Sequence, residues 1–151
     1  MSTTDQTPWT DQFRTPTVTQ LRNNLQAGAA DFFDRTRKSL LKMGGLVEHP
    51  RWYGDCWFWS LGYFIENEDT ADDNPMALLI PATEDLQLAM PLEAEFMATL
   101  NVRRLKRAIR DGLDLGQQPF HTRWAVWSLS AGNVTDEVLW VVTARHAWLM
   151  G

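Results

Sequence analysis

Cysteine is almost absent: Cys56 stands alone, so no intramolecular disulfide can staple the fold. Its apolar neighbours predict a buried thiol that packs as a small hydrophobe in a reducing compartment. No uninterrupted apolar stretch approaches the roughly 20 residues needed to span a bilayer, so no membrane association is expected. The opening Met1 to Thr19 is polar, carries Pro8 and Pro16 and has no apolar centre. That is not the pattern of a secretory signal, and the expectation is a cytoplasmic protein of bacterial type. Positive charge is in deficit, with 14 Lys and Arg against 19 Asp and Glu for a net charge of −5, which argues against a nucleic-acid binder.

Chemistry-bearing motifs are also scarce. His49, His121, His146 and Cys56 are the available imidazole and thiol ligands, and they show no Cys-x-x-Cys, His-x-x-x-His or His-Glu-x-x-His spacing. Ser60 lacks a Gly-x-Ser-x-Gly elbow, and Gly44-Gly45 ends a helix where a phosphate loop would begin one. Cys56 sits in apolar surroundings that raise a thiol pKa rather than activate it. No catalytic residue, metal ligand or cofactor is therefore assigned, and the chain reads as a non-enzyme. Glu66, Glu68, Asp69, Asp72 and Asp73 carry carboxylates suited to a hard cation, so an iron-binding domain is a weaker alternative. They lack the Asp/Gly spacing of a calcium loop and read first as a solvated acidic connection.

What the chain has in excess is tryptophan, eight residues in 151, which predicts a core of large rigid side chains. A chain of this length suits one domain and buries roughly 70% of its unfolded surface. Residues 1–16 read as a flexible tail unless Trp9 and Phe13 pin them, and residues 17–151 as a single α+β domain. Thr17 caps a helix carrying Val18, Leu21 and Leu25 that ends near Gly28. A second helix runs from about Ala29 to Met43, with Phe32, Phe33, Thr36, Leu40 and Leu41 on or near one face, and Gly44-Gly45 stops it.

Strands follow as a block. Leu46 to Tyr53 is a first candidate, demoted by Pro50 to an edge or a break, and Cys56 to Glu66 is the strongest strand. Met76 to Ile80 and Leu86 to Met90 come next, each closed by a proline, and His121 to Ser130 alternates as the last. Short connections between consecutive strands predict an antiparallel meander of about five strands. Between the last two strands, Leu92 to Leu100 and Val102 to Leu113 return to the helical period. Asn133 with Asp136 resembles a capping pair for a C-terminal helix from Val134 to about Leu149, predicted to dock deeply. The fold class is thus α+β, an antiparallel sheet packed by N-terminal and C-terminal helices.

Two helices leading through Trp52-x-Gly54 into Trp57-Phe58-Trp59-Ser60-Leu61-x-Tyr63 resemble a family of small bacterial domains of unknown function in the YdhG-like group. The resemblance extends to Leu78-Leu79-Ile80-Pro81, to Trp124-Ala125-Val126 and to Thr135-Asp136-Glu137, over roughly residues 17–150. Phe58, Gly62 and a long acidic insertion after Glu66 depart from the pattern, as in a divergent member. The resemblance implies the fold, with iron handling or small-ligand binding by association, and no catalytic residue to carry over.

Two functional readings follow. Alternation puts Trp57, Trp59, Leu61, Tyr63 and Ile65 on one strand face. In the leading reading Trp57, Trp59, Tyr63, Trp124 and Trp127 line a pocket for a small apolar or aromatic ligand, against the plainer reading of a packed core. The alternative is a protein-interaction module of immunity or adaptor type. Its contact surfaces are the acidic loop and a basic helix with Arg103, Arg104, Lys106, Arg107 and Arg110 on its polar side, of which Arg103, Arg104 and Arg107 are the candidate contacts. An open sheet face would also admit a homodimer.

Overall fold

In the computed structural model residues 8–66, 75–82, 85–114 and 123–151 are described. The acidic stretch from Glu68 to Asp73 and His121 lie outside the described residues, as does the side chain of Cys56. Five strands form one antiparallel meander in the order β1-β2-β3-β4-β5: β1 (Leu46–Trp52), β2 (Trp59–Ile65), β3 (Ala77–Ile80), β4 (Gln87–Pro91) and β5 (Trp124–Ser128). The register runs from Trp52 opposite Trp59, through Leu61 opposite Leu79 and Leu79 opposite Leu88, to Leu88 opposite Trp127. Pro50 is accommodated because β1 is an edge strand, where a missing N–H need not break a ladder.

Helix α1 (Val18–Asn23) opens with a capping box: Thr17 Oγ1 accepts from the Gln20 N–H at 3.1 Å, and Gln20 Oε1 accepts from the Thr17 N–H at 2.8 Å. It ends earlier than Gly28, and α2 (Ala27–Lys42) buries Ala30, Phe33, Thr36 and Leu40 at intervals of three or four, with Leu41 exposed off that face. Gly44 and Gly45, at φ 84° and 70°, then turn the chain into β1, a geometry that side-chain-bearing residues rarely adopt. Of the two residues that could hold the N-terminal segment, Trp9 does so: it lies in the core and its carbonyl accepts from the Trp59 N–H at 2.9 Å. Phe13 is 93% exposed.

Three expectations are corrected. The strong strand starts at Trp59 rather than Cys56, because Gly54–Trp57 coils into a single helical turn, α3, and the chain re-enters the sheet through Phe58 at φ 53°. Two hydrogen bonds hold that unusual backbone, Tyr53 N–H to Phe58 O at 2.8 Å and Phe58 N–H to Gly54 O at 2.9 Å. The expected helix from Val102 to Leu113 is broken into a 3-10 turn (Val102–Arg104) and α5 (Arg107–Asp114). Leu105 drops into the core between them, and Glu137 Oε1 accepts from the Lys106 N–H, supplying from another helix the cap that α5 needs. Finally, α6 (Gly132–Met150) takes Ala131, not Asn133, as its N-cap, and Asp136 instead pairs with Arg35 of α2.

Side chains alternate across the sheet into two clusters. One face carries Trp59, Leu61, Tyr63, Leu79, Leu88, Met90 and Trp127 beneath the helices, whose Phe33, Leu40, Ile109, Val138 and Val142 complete the main core. The opposite face carries Leu78, Ile80, Ala89 and Trp124, joined by Tyr53 and Trp57 from the β1–β2 connection. Between β4 and the 3-10 turn, α4 (Ala94–Met97) inserts Phe96 into the main core.

Two buried polar networks tie the layers together. Arg145 of α6 is 1% exposed, with Nε donating to Glu93 Oε1 at 2.9 Å, Nη2 to Glu93 Oε2, and Nη1 to Met76 O at 3.0 Å. This bidentate pairing anchors α6 to the entrances of α4 and β3. Tyr63 Oη donates to Glu48 Oε2 at 2.7 Å, and Arg37 Nη2 donates to Glu48 Oε1 at 2.9 Å, joining β2, β1 and α2. Burial, then the neighbouring Glu48 carboxylate, pushes the Tyr63 phenol pKa far above its usual value. The hydrogen bond to Glu48 raises that of Arg37.

Candidate functional site

The five aromatic residues singled out from the sequence do not meet around one space. Trp57 and Trp124 stack edge-on at 5.2 Å on one side of the sheet, whereas Trp59, Tyr63 and Trp127 belong to the core on the other. Each is committed to a structural contact. Trp59 Nε1 donates to Asp11 O at 2.6 Å, Tyr63 is bonded to Glu48, and Trp127 Nε1 donates to Ile109 O at 3.0 Å. Strand alternation predicts Trp57 on the same face as Trp59; the turn of α3 carries it to the opposite face. Glycine is fitted to the rings at two points. A Cβ at Gly62 would stand 2.7 Å from Phe64 Cε2, and one at Gly112 would stand 2.2 Å from Trp127 Nε1.

The basic residues are distributed by the break in their helix. Arg103 and Arg104 lie on the 3-10 turn, both exposed, and Arg107 lies on α5 with its Nε 3.9 Å from Asp111 Oδ2. Lys106 faces Glu137 at 4.0 Å. Arg103 and Arg104 have no ion-pair partner among the described residues.

Arg104 stands at the rim of a groove of about 530 Å³ between the segment from Thr99 to Leu105 and helix α6. Its floor and walls are Leu100, Leu105, Ala144 and Trp140, and Glu137 closes one end while capping α5. The approach to the groove is held by Thr99, whose N–H and Oγ1 both donate to Phe96 O, at 2.9 and 2.7 Å. Trp140 is 57% exposed, second only to Phe13 among the large hydrophobic residues described. Further along the same helix Trp148 leans on Phe96 at 5.6 Å.

Trp140 was not singled out from the sequence, although a signal was there. With about 100° per residue, it falls roughly 160–200° around the helix from Val138 and Val142, the centre of the buried stripe. A helix apolar on much of its circumference conceals such a residue, because hydrophobic content summed along the chain carries no direction.

His49 lies beside Phe64 at 6.1 Å, and His146 Nε2 is 3.0 Å from Gly44 O. Among the described residues no three His, Cys, Asp or Glu side chains converge to hold a metal ion, and no helix is long and apolar enough to cross a membrane. No protein-family model, curated protein or solved structure matches this chain.

Proposed function

We propose that the chain is a protein-interaction domain of adaptor type, which receives an acidic, apolar-tipped segment of a partner protein in the groove between the Thr99–Leu105 segment and α6. The observation that carries this reading is Trp140, held out of the core over an apolar groove that is also lined by Arg104, which has no ion-pair partner among the described residues. A tryptophan side chain offers roughly 150–250 Å², so covering its exposed half at about 25 cal/mol per Å² is worth about 3 kcal/mol. Tryptophan and arginine are also the residue types that most often dominate binding energy at interfaces. Arg103 and Arg104 select the partner by charge, and their steering weakens as salt rises. The aromatic-pocket reading is less favoured, because its five residues are divided between two sheet faces.

The test places the photo-crosslinker p-benzoylphenylalanine at position 140 in the source cells. The expected result is one discrete adduct, mapped by mass spectrometry to an acidic segment of another protein. Arg103→Glu with Arg104→Glu should abolish it; Arg107→Glu, whose side chain already faces Asp111, should not. No discrete adduct, an adduct indifferent to the double reversal, or one of twice the chain's own mass would refute the reading.

A further inference from the structure

The two edges of the sheet are built differently. β1 carries Pro50, Glu48, His49 and Arg51, the devices by which an edge strand resists pairing with another chain. β5, at the other edge, reads Trp-Ala-Val-Trp-Ser, with neither charge nor proline. The ladder to β4 settles which backbone groups of β5 are in use. Leu92 N–H donates to Arg123 O at 2.8 Å at one end, and Leu129 N–H donates to Leu86 O at 2.8 Å at the other. With Met90 opposite Ala125 and Leu88 opposite Trp127, the hydrogen-bonded positions of an antiparallel pair are Arg123, Ala125, Trp127 and Leu129. The backbone N–H and C=O groups of Val126 and Ser128 therefore point away from the sheet.

Those groups border a cleft of about 400 Å³ that α5 and the start of α6 wall off on the other side. The wall is made of small residues, Ala108 and Gly112, with Val134 at the end and the Asp111 carboxylate at the mouth. Gly112 is small because Trp127 presses against it, and Ala108, exposed one turn earlier, leaves room beside the strand. An edge strand facing a helix across a cleft is an arrangement in which an extended peptide gains main-chain hydrogen bonds on one side and side-chain pockets on the other.

We propose that this cleft binds an extended peptide segment as a sixth strand, bonded to the backbone of Val126 and Ser128, with a small apolar side chain between Ala108 and Val134. A basic side chain of the peptide meets Asp111, whose carboxylate is more than half exposed and only distantly paired with Arg107. This site is independent of the Trp140 groove, and either can fail without the other.

The experiment pans a phage-displayed library of random nine-residue peptides on the full chain and measures the synthetic consensus peptide by fluorescence anisotropy. A consensus of alternating small apolar residues with Lys or Arg is expected. Val126→Pro removes one outward N–H and leaves the β4 ladder intact, as edge strands allow, so circular dichroism should be preserved while affinity falls tenfold or more. Ser128→Pro is the second variant with the same expectation, and Asp111→Asn should weaken binding several-fold at low salt. Trp140→Ala should leave binding of the consensus peptide unchanged. The proposal is overturned if panning yields no consensus or if the peptide binds both proline variants as tightly as the parent chain. It is equally overturned if sedimentation shows a dimer that Val126→Pro dissolves, since a second copy would then own the edge.

Discussion

Replacing Gly112 by alanine sets two physical rules against each other. Helix propensity favours the change, since glycine inside a helix costs up to about 1 kcal/mol relative to alanine. Geometry opposes it. The new Cβ would lie 2.2 Å from Trp127 Nε1, 2.5 Å from Cδ1 and 3.0 Å from Cε2, and that indole is buried with its N–H donated to Ile109 O at 3.0 Å. Overpacking a well-filled site costs about 1–3 kcal/mol. Displacing the ring also breaks the bond to Ile109 and leaves a buried donor unsatisfied, a further 1–3 kcal/mol or so. After the propensity gain is subtracted, Gly112→Ala should destabilise the domain by about 1–5 kcal/mol, with the middle of that range expected. For a chain of this size each kcal/mol lowers Tm by roughly 2–4 °C, so a fall on the order of 10 °C is expected. Gly28→Ala is the matched control: it also lies in a helix, but a Cβ there meets nothing within 4 Å, so it should be neutral or slightly stabilising. Urea unfolding followed by tryptophan fluorescence measures both. A Gly112→Ala protein as stable as the parent would refute the placement of Trp127 against α5. In a Trp127→Leu background the penalty of Gly112→Ala should largely vanish.

Further predictions come from the buried networks. Tyr63 keeps its proton in the folded state, while in the unfolded chain a tyrosine ionises near pH 10, so stability is fully present below about pH 10 and falls above it by up to about 1.4 kcal/mol per pH unit. Tyr63→Phe should lose about 1–2 kcal/mol at neutral pH and show a shallower alkaline decline in urea midpoints; parallel declines would show that Tyr63 is not the titrating group. Glu93→Ala should cost about 2–4 kcal/mol, because the fully buried Arg145 would keep only the Met76 carbonyl. Arg145→Met should cost less, since it removes the buried charge itself and the carboxylate it leaves behind, Glu93, is 28% exposed and can be hydrated; equal or reversed losses in thermal unfolding would contradict that reasoning. Trp140→Ala, by contrast, should leave Tm nearly unchanged, because more than half of that side chain already lies in water.

The class of fold and most of its elements follow from residue patterns alone. Polar and apolar residues alternate or recur with periods that belong to single strands and helices, and Gly44-Gly45, Pro81, Pro91 and the Thr17 cap mark boundaries through local backbone chemistry. The antiparallel meander of β1 to β4 was legible because consecutive strands with few residues between them have little choice but to pair, whereas β5 joins β4 only after α4, the 3-10 turn and α5. Where locally sound patterns give way depends on contacts between elements far apart in the chain. Trp57 leaves the strand to stack on Trp124, the helix after Val102 breaks so that Leu105 can enter the core, and Glu137 from a distant helix caps the new start at Lys106. Each of these is a long-range contact whose energy exceeds the small preferences of the local chain. The same holds for function: the aromatic residues conspicuous in the sequence went into packing, and the exposed Trp140 and the open edge of β5 acquired meaning only from what the fold placed beside them.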